Sequence, residues 1–277
     1  MPDEFPTATE PDAAAQRPDA PAVVFLNSGL LHRVGGSRMH VRMARRLAAQ
    51  GYLCMRFDSA GLGDSDVRKD SLPFEKSGVI ETREAMDVLA TSRGSARFVL
   101  MGLCSGADMA YWTALDDDRV VGIFQLDPFD YRTRRYYLHV YGPKMLTLTP
   151  WLNMLRGRTY IGAWIRNRFA GRPPEAAEET GAEMVQSPYA RAFPPRDEVA
   201  RGLRVLRQRG VEIFSFFTGE RDHSYQGQFK AAFRDVDLSK GFTEVYKGEA
   251  DHLVTDLRLQ EWLDGAFVSW LGTLSLR

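Results

Sequence analysis

Phe98-Val99-Leu100-Met101-Gly102-Leu103-Cys104-Ser105-Gly106-Ala107-Asp108-Met109-Ala110 is the stretch from which the fold of this chain is read. An apolar run suited to a buried strand ends in Gly-x-Cys-x-Gly and passes directly into a segment whose apolar face continues through Tyr111, Trp112, Ala114 and Leu115. Strand, sharp turn and helix are expected in succession. In such a turn the central residue holds a strained backbone with its side chain pointing outward, so the positions two before and two after it must be nearly bare. Gly102 and Gly106 meet that demand for Cys104, whereas Leu103 and Ala107 do not meet it for Ser105. The candidate nucleophile is therefore the Cys104 thiol. A free cysteine can equally be a small buried apolar residue; the strand-turn-helix setting and the partners found downstream favour chemistry.

Outward from this turn, strand-like and helix-like runs alternate. Upstream, residues 22–26 read as a short strand, followed by the loop Asn27-Ser28-Gly29-Leu30-Leu31-His32. Ser37 reads as the N-cap of a helix to Gln50, with Met39, Met43 and Leu47 on one face and Gly51 as its stop. Residues 52–57 form the next expected strand, Asp58-Ser59-Ala60-Gly61-Leu62-Gly63-Asp64-Ser65 a glycine-rich turn, and residues 81–90 a helix. Downstream, 120–126 reads as a strand, 199–209 as a helix, 211–217 as a strand, 226–233 as a helix and 242–246 as the last strand. Leu259, Trp262, Leu263, Ala266, Phe267, Trp270 and Leu271 mark a closing amphipathic helix. This alternation predicts an α/β protein with a mostly parallel, doubly wound sheet, and 277 residues suffice for one large core.

Lys+Arg and Asp+Glu both number 36, so the net charge is zero and nucleic acid is not an expected partner. With 44% hydrophobic and 26% charged residues, the chain falls among soluble globular proteins. Its two cysteines, Cys54 and Cys104, suggest neither a disulfide framework nor a zinc site. No metal or cofactor is expected, and a reducing, cytoplasmic location fits. Residues 1–21, rich in Pro, Ala, Asp and Glu, lack the basic start and apolar stretch of a secretion signal and read as a disordered leader. No apolar run approaches the ~18 to 20 residues that span a bilayer.

The alternation fails over residues 127–196, which carry Pro143, Pro150, Pro173, Pro174, Pro188, Pro194 and Pro195. The expected plan is a core of residues 22–126 and 197–277 with a helical cap, 127–196, inserted over the carboxyl ends of the strands, where open parallel sheets bind ligands. Residues 131–172 hold nine basic residues (Arg132, Arg134, Arg135, Lys144, Arg156, Arg158, Arg166, Arg168, Arg172) and no acidic one. A solvated helix face accounts for them as well as an anion-binding face does. Arg132, Arg134 and Arg135 are the candidate substrate- or partner-binding residues. The interleaved Tyr136, Tyr137, Trp151, Tyr160 and Trp164 read first as packing and second as a membrane-surface helix.

A nucleophilic thiol needs a base to hold it as thiolate and to pass a proton to the leaving group, and the base needs a carboxylate to fix its tautomer. Among five histidines, His252 is best placed, in Gly248-Glu249-Ala250-Asp251-His252 after the last strand. The carboxylate is expected to be Asp222, in Thr218-Gly219-Glu220-Arg221-Asp222; Glu220 competes for the role, and Asp127, at the end of an earlier strand, is the rival from another position. Two backbone amides must face the developing oxyanion. Ser105 N–H, at the start of the helix, is one, and Leu30 N–H, in the loop after the first strand, is the expected second.

Taken together, the Asn27-Ser28-Gly29-Leu30 loop, the 58–65 turn, the Gly102-Leu103-Cys104-Ser105-Gly106 elbow, Gly219 to Asp222 and His252 give a chain that resembles the α/β-hydrolase superfamily over roughly residues 22–274. The resemblance implies acyl-transfer chemistry on an eight-stranded-type core. Two departures stand out: cysteine replaces serine, as in the dienelactone hydrolases and in cysteine-dependent aminoacyl shuttles that serve carrier proteins, and the leading hairpin is absent from the sequence pattern.

The expected activity is cleavage of an ester or thioester through an acyl-cysteine. Exchange of a carrier thioester for an acyl-Cys104 is close to thermoneutral, so an acyl or aminoacyl transferase working between carrier-protein or coenzyme A thiols is the alternative enzyme. From another class comes a non-catalytic binding protein on a hydrolase scaffold. Expected partners are a small acyl ester or thioester, with an acyl or peptidyl carrier protein or a coenzyme A thioester as further candidates; membrane-surface contact is the weakest of them.

Overall fold

Burial along the central strand β4 (Phe98–Leu103) explains why helices pack on both sides of it. Successive side chains of a strand point to opposite faces, and here both faces are buried. Phe98 and Leu100 join one core with Met86 and Leu89 of α2 (Phe74–Arg93), Ala110 and Tyr111 of α3 (Ser105–Asp116), and Leu203 and Leu206 of α5 (Arg196–Gln208). Val99, Met101 and Leu103 join the other with Met39, Met43 and Leu47 of α1 (Met39–Ala48) and Leu263, Phe267 and Leu271 of α7 (Leu257–Leu274). Each such side chain contributes roughly 1.5–3 kcal/mol on burial. Phe124 reinforces the second core, stacking on Phe214 at 4.4 Å and Phe267 at 4.0 Å between ring centroids.

The structure, a computed structural model, describes residues 8–9, 17, 19–145, 191 and 193–274. The other strands are β1 (Ala8–Thr9), β2 (Ala22–Leu26), β3 (Cys54–Arg56), β5 (Val120–Leu126), β6 (Glu212–Thr218) and β7 (Phe242–Lys247). They form a sheet in the order β1-β3-β2-β4-β5-β6-β7. From β3 to β7 every neighbouring pair is parallel, and β1 pairs antiparallel with β3. The doubly wound α/β plan read from the sequence is the one observed. After β2 the chain moves outward to β3 and then returns across β2 to β4. The crevice between the carboxyl ends of β2 and β4 is therefore the switch point at which such sheets place ligands, and both the loop after β2 and Cys104 open into it.

Local differences from the sequence reading have local causes. Within the expected leader, Ala8–Thr9 pairs with β3, and Arg17 Nη1 donates to the Tyr52 hydroxyl at 3.1 Å; residues 1–7, 10–16 and 18 lie outside the described residues. Ser37 does not cap α1. It sits in a tight turn, Gly36–Arg38, with φ 48, and Arg38 enters the helix from a left-handed conformation. Helix α2 begins well before residue 81, because Gly78 packs against Met109 of α3 and close approach outweighs glycine's poor helix propensity. Trp262 is 42% exposed and lies under Lys247 rather than in the core.

The chain divides into two compact units, residues 1–131 with 191–277, and residues 132–190. The second is described only at its start, where α4 (Arg134–Met145) carries Arg134 and Arg135. Residues 146–190 of the expected cap, with Arg156, Arg158, Arg166, Arg168 and Arg172, lie outside the described residues. No described helix is long and apolar enough to cross a membrane. The remaining short helix, α6 (Gln228–Ala232), follows β6.

Candidate active site

Cys104 leaves β4 with φ 56 and ψ −120, a conformation that costs a non-glycine residue energy and that neighbouring structure must enforce. The enforcement is visible. Its N–H donates to the Leu126 carbonyl at 2.8 Å, and its carbonyl accepts from Ala107 and Asp108 at 3.0 and 3.2 Å, which starts α3. A Cβ on Gly102 would collide with the Gly106 backbone, and one on Gly106 with the Asn27 carbonyl oxygen. Both positions require glycine, and the thiol is held half-buried at the rim of the sheet.

Three cationic groups surround that sulfur. His252 stands beside the thiol and favours its thiolate form. Arg191 Nη1 lies 3.4 Å from Sγ and Arg221 Nη2 lies 3.3 Å from it. Burial pushes the Cys104 thiol up, but the His252 bond and the charges of Arg191, His252 and Arg221 outweigh it and bring it down to about 7. The thiolate is also favoured at the N-terminus of α3.

The carboxylate that holds His252 is Asp127, not Asp222. Asp127 Oδ2 is 2.6 Å from His252 Nδ1, and the two Asp127 oxygens also accept from Thr218 N–H at 2.8 Å and from the Thr218 hydroxyl at 2.7 Å. Asp127 N–H donates to the Phe216 carbonyl at 2.8 Å, so the residue bridges the ends of β5 and β6 beside the elbow. The Asp127 bond comes first, and the Cys104 bond second, in raising His252 to about 9 against its burial. Asp222 instead lies further along the loop after β6, where its carbonyl accepts from Gln228 Nε2 at 2.6 Å. Glu220, the other competitor, accepts the His252 backbone N–H at 2.8 Å and so positions the loop rather than the imidazole.

The two expected oxyanion amides come from adjoining turns. Residues 28–31 form a tight turn in which Leu31 N–H bonds the Ser28 carbonyl at 2.9 Å. Gly29 N–H donates to Ser105 Oγ at 2.8 Å, tying the turn that carries Leu30 to the residue after Cys104. Asp58 stiffens the same loop from beneath, accepting from Asn27 Nδ2 at 3.2 Å and from Arg33 Nη1 at 2.7 Å. Among the described residues no hydrogen-bond partner engages the Ser105 or Leu30 amide.

Sequence reasoning missed Arg191, Arg221 and Asp108. Arg191 grips Asp108 through Nε at 2.5 Å and Nη2 at 2.7 Å, and Nη2 also reaches the Asp127 carbonyl at 3.1 Å. The pair is largely buried, with 14% and 13% of the two side chains exposed. Burial raises the Asp108 carboxyl against the opposing pull of Arg191. Asp108 was the available signal, a lone charge one helical turn past Cys104 on an otherwise apolar segment. Arg191 carries no local signature, since 87 residues separate it from the thiol. Of the basic residues singled out in the insertion, Arg132 lies over the Tyr136 ring at 5.5 Å and Arg135 Nε faces His139 Nε2 at 3.4 Å. Among the described residues no group of His, Cys, Asp and Glu is arranged to hold a metal ion.

Chemically, a low-lying thiol joined to an imidazole, itself joined to a buried carboxylate, can be held as thiolate and imidazolium and can return a proton to a leaving group. Solved structures with this architecture are numerous. An α/β serine hydrolase homologue from Coxiella burnetii matches with a TM-score of 0.53 at 14% identity, covering 94% of this chain and 89% of its own. An esterase from Pyrococcus furiosus matches with a TM-score of 0.56 at 15% identity, covering 91% and 81%. Alpha/beta hydrolase domain-containing protein 10 from mouse matches with a TM-score of 0.52 at 12% identity, covering 99% and 97%. No family model and no curated protein matches the chain. The fold is that of the α/β hydrolases.

Proposed function

We propose that this protein is a hydrolase that cleaves an ester or thioester through an acyl intermediate on Cys104. The observation that carries the reading is the linked set of a thiol brought to about 7, His252 and Asp127 at the carboxyl end of the sheet. Esterases and hydrolases among the proteins of similar fold support it. In the reaction Cys104 Sγ attacks the carbonyl carbon, the Ser105 and Leu30 amides receive the oxyanion, and the His252 imidazolium protonates the leaving oxygen or sulfur. Water then attacks the acyl carbon while His252 takes its proton, and the thiolate is released. Asp127, bonded to Nδ1, keeps that nitrogen protonated and leaves Nε2 as the one that exchanges the proton.

Transfer to a second thiol is the competing outcome for the same intermediate, favoured by the near equivalence of two thioesters. Decay of the acyl-enzyme, followed by intact mass with water alone and with an added acceptor thiol, separates them. Release in water at the steady-state rate supports hydrolysis. Release only when the thiol is present rejects it.

A further inference from the structure

Leu30 is 70% exposed, so packing of its side chain does not place its backbone amide, and hydrogen bonds must do so. Gly29 brings the chain round with a left-handed φ of 52. Two of the bonds that hold the 28–31 turn are internal to the loop: Leu31 N–H donates to the Ser28 carbonyl, and Asn27 Nδ2 to the Leu31 carbonyl, both at 2.9 Å. Among the described residues, the one hydrogen bond that joins this turn to α3 is Gly29 N–H to Ser105 Oγ, at 2.8 Å. Ser105 therefore reaches both halves of the expected oxyanion site. Its own amide is one donor, and its hydroxyl oxygen holds the residue just before the other.

We propose that the Ser105 side chain is a positioning residue for the oxyanion: by accepting the Gly29 N–H, its Oγ fixes the turn so that the Leu30 and Ser105 amides are directed at one developing charge. The role rests on the acyl-Cys104 reading and adds to it a hydroxyl that neither attacks the carbonyl nor moves a proton. Donors stabilise an oxyanion most when they are in place before the charge develops. A turn free to swing loses that advantage in the transition state and leaves binding of the neutral ester almost untouched. The thiolate is not expected to respond, because the groups that favour it are His252, Arg191 and Arg221.

The test compares two reactions of the same sulfur in the full-length protein. With p-nitrophenyl acetate, sulfur bonds to the carbonyl carbon, an oxyanion forms, and p-nitrophenolate leaves as the carbonyl is restored. With iodoacetamide, sulfur bonds to the methylene carbon as iodide leaves, and no oxyanion forms. The ratio of the two rates at one pH cancels the thiolate fraction, so it reports the oxyanion site rather than activation of the thiol. Ser105→Ala should lower the acetylation rate at saturating ester on the order of tenfold, a part of the roughly hundredfold or more that losing a whole oxyanion donor costs. The half-saturating ester concentration and the alkylation rate should stay within about twofold of wild type. Ser105→Thr, which keeps the acceptor oxygen, should recover most of the loss. A ratio unchanged or raised in Ser105→Ala overturns the proposal, as does a Ser105→Thr variant no better than Ser105→Ala. Equal loss in both reactions also overturns it, by placing the effect on the sulfur or on folding. A wild type that is alkylated but takes up no acetyl group on Cys104 would instead remove the acyl-transfer reading on which this role rests.

Discussion

His252 Nδ1 and Asp127 Oδ2 stand 2.6 Å apart across 125 residues of sequence, and that contact decides which carboxylate serves the imidazole. Asp127→Asn keeps the shape and removes the charge that fixes the tautomer. It should lower kcat for ester cleavage roughly a thousandfold or more, whereas Asp222→Asn should stay within about twofold of wild type. Steady-state kinetics on an activated ester read both. Equal losses in the two variants would contradict the assignment.

Why the sequence pointed to Asp222 is a matter of strand order. Both aspartates follow buried strands, and both precede His252 in the chain, so spacing alone does not separate them. Only the sheet does: β5 lies hydrogen-bonded between β4 and β6, with Cys104 N–H on the Leu126 carbonyl, which puts the next residue, Asp127, beside the elbow. The fold was more legible, because the two-faced burial of Phe98–Leu103 and the stripes of Met39, Met43, Leu47 and of Leu263, Phe267, Leu271 are written as local periodicities. Cys104 was legible too, since its flanking glycines answer a steric demand within five residues of chain. Arg191 answers a demand made across 83 residues by Asp108, and periodicity carries no trace of it.

The paired shifts of Cys104 and His252 set a pH window. The thiol's lowered value, about 7, means its thiolate stabilises the fold above the ordinary thiol range and that this contribution is lost as pH falls through about 7. His252, raised to about 9, stabilises fully below 6.5 and loses that contribution as pH rises through about 9. The ion pair is therefore fullest between the two values. The rate of alkylation by iodoacetamide should rise with a midpoint near 7, and kcat/KM should plateau between about 7 and about 9 and decline on both sides. In His252→Gln the alkylation midpoint should move up toward the ordinary thiol value. An unmoved midpoint would remove His252 from the sulfur's environment.

Arg191 joins two separable effects. Arg191→Gln strands a buried carboxylate, so urea unfolding should show a loss of about 3 kcal/mol, and the alkylation midpoint of Cys104 should rise because a nearby cation is gone. Replacing the pair together, with Asp108→Leu and Arg191→Met, should recover most of the stability while leaving the midpoint high. A double variant whose midpoint returned to the wild-type value would show that Arg191 does not tune the thiol.

Acylation itself is read by mixing the protein with p-nitrophenyl acetate, quenching in acid and mapping the acetyl mass increment to a peptide. The expected result is a single increment on Cys104 in wild type and in Ser105→Ala, and none in Cys104→Ala. An increment on Ser105, or ester cleavage that persists in Cys104→Ala, would contradict nucleophilic attack by the Cys104 sulfur.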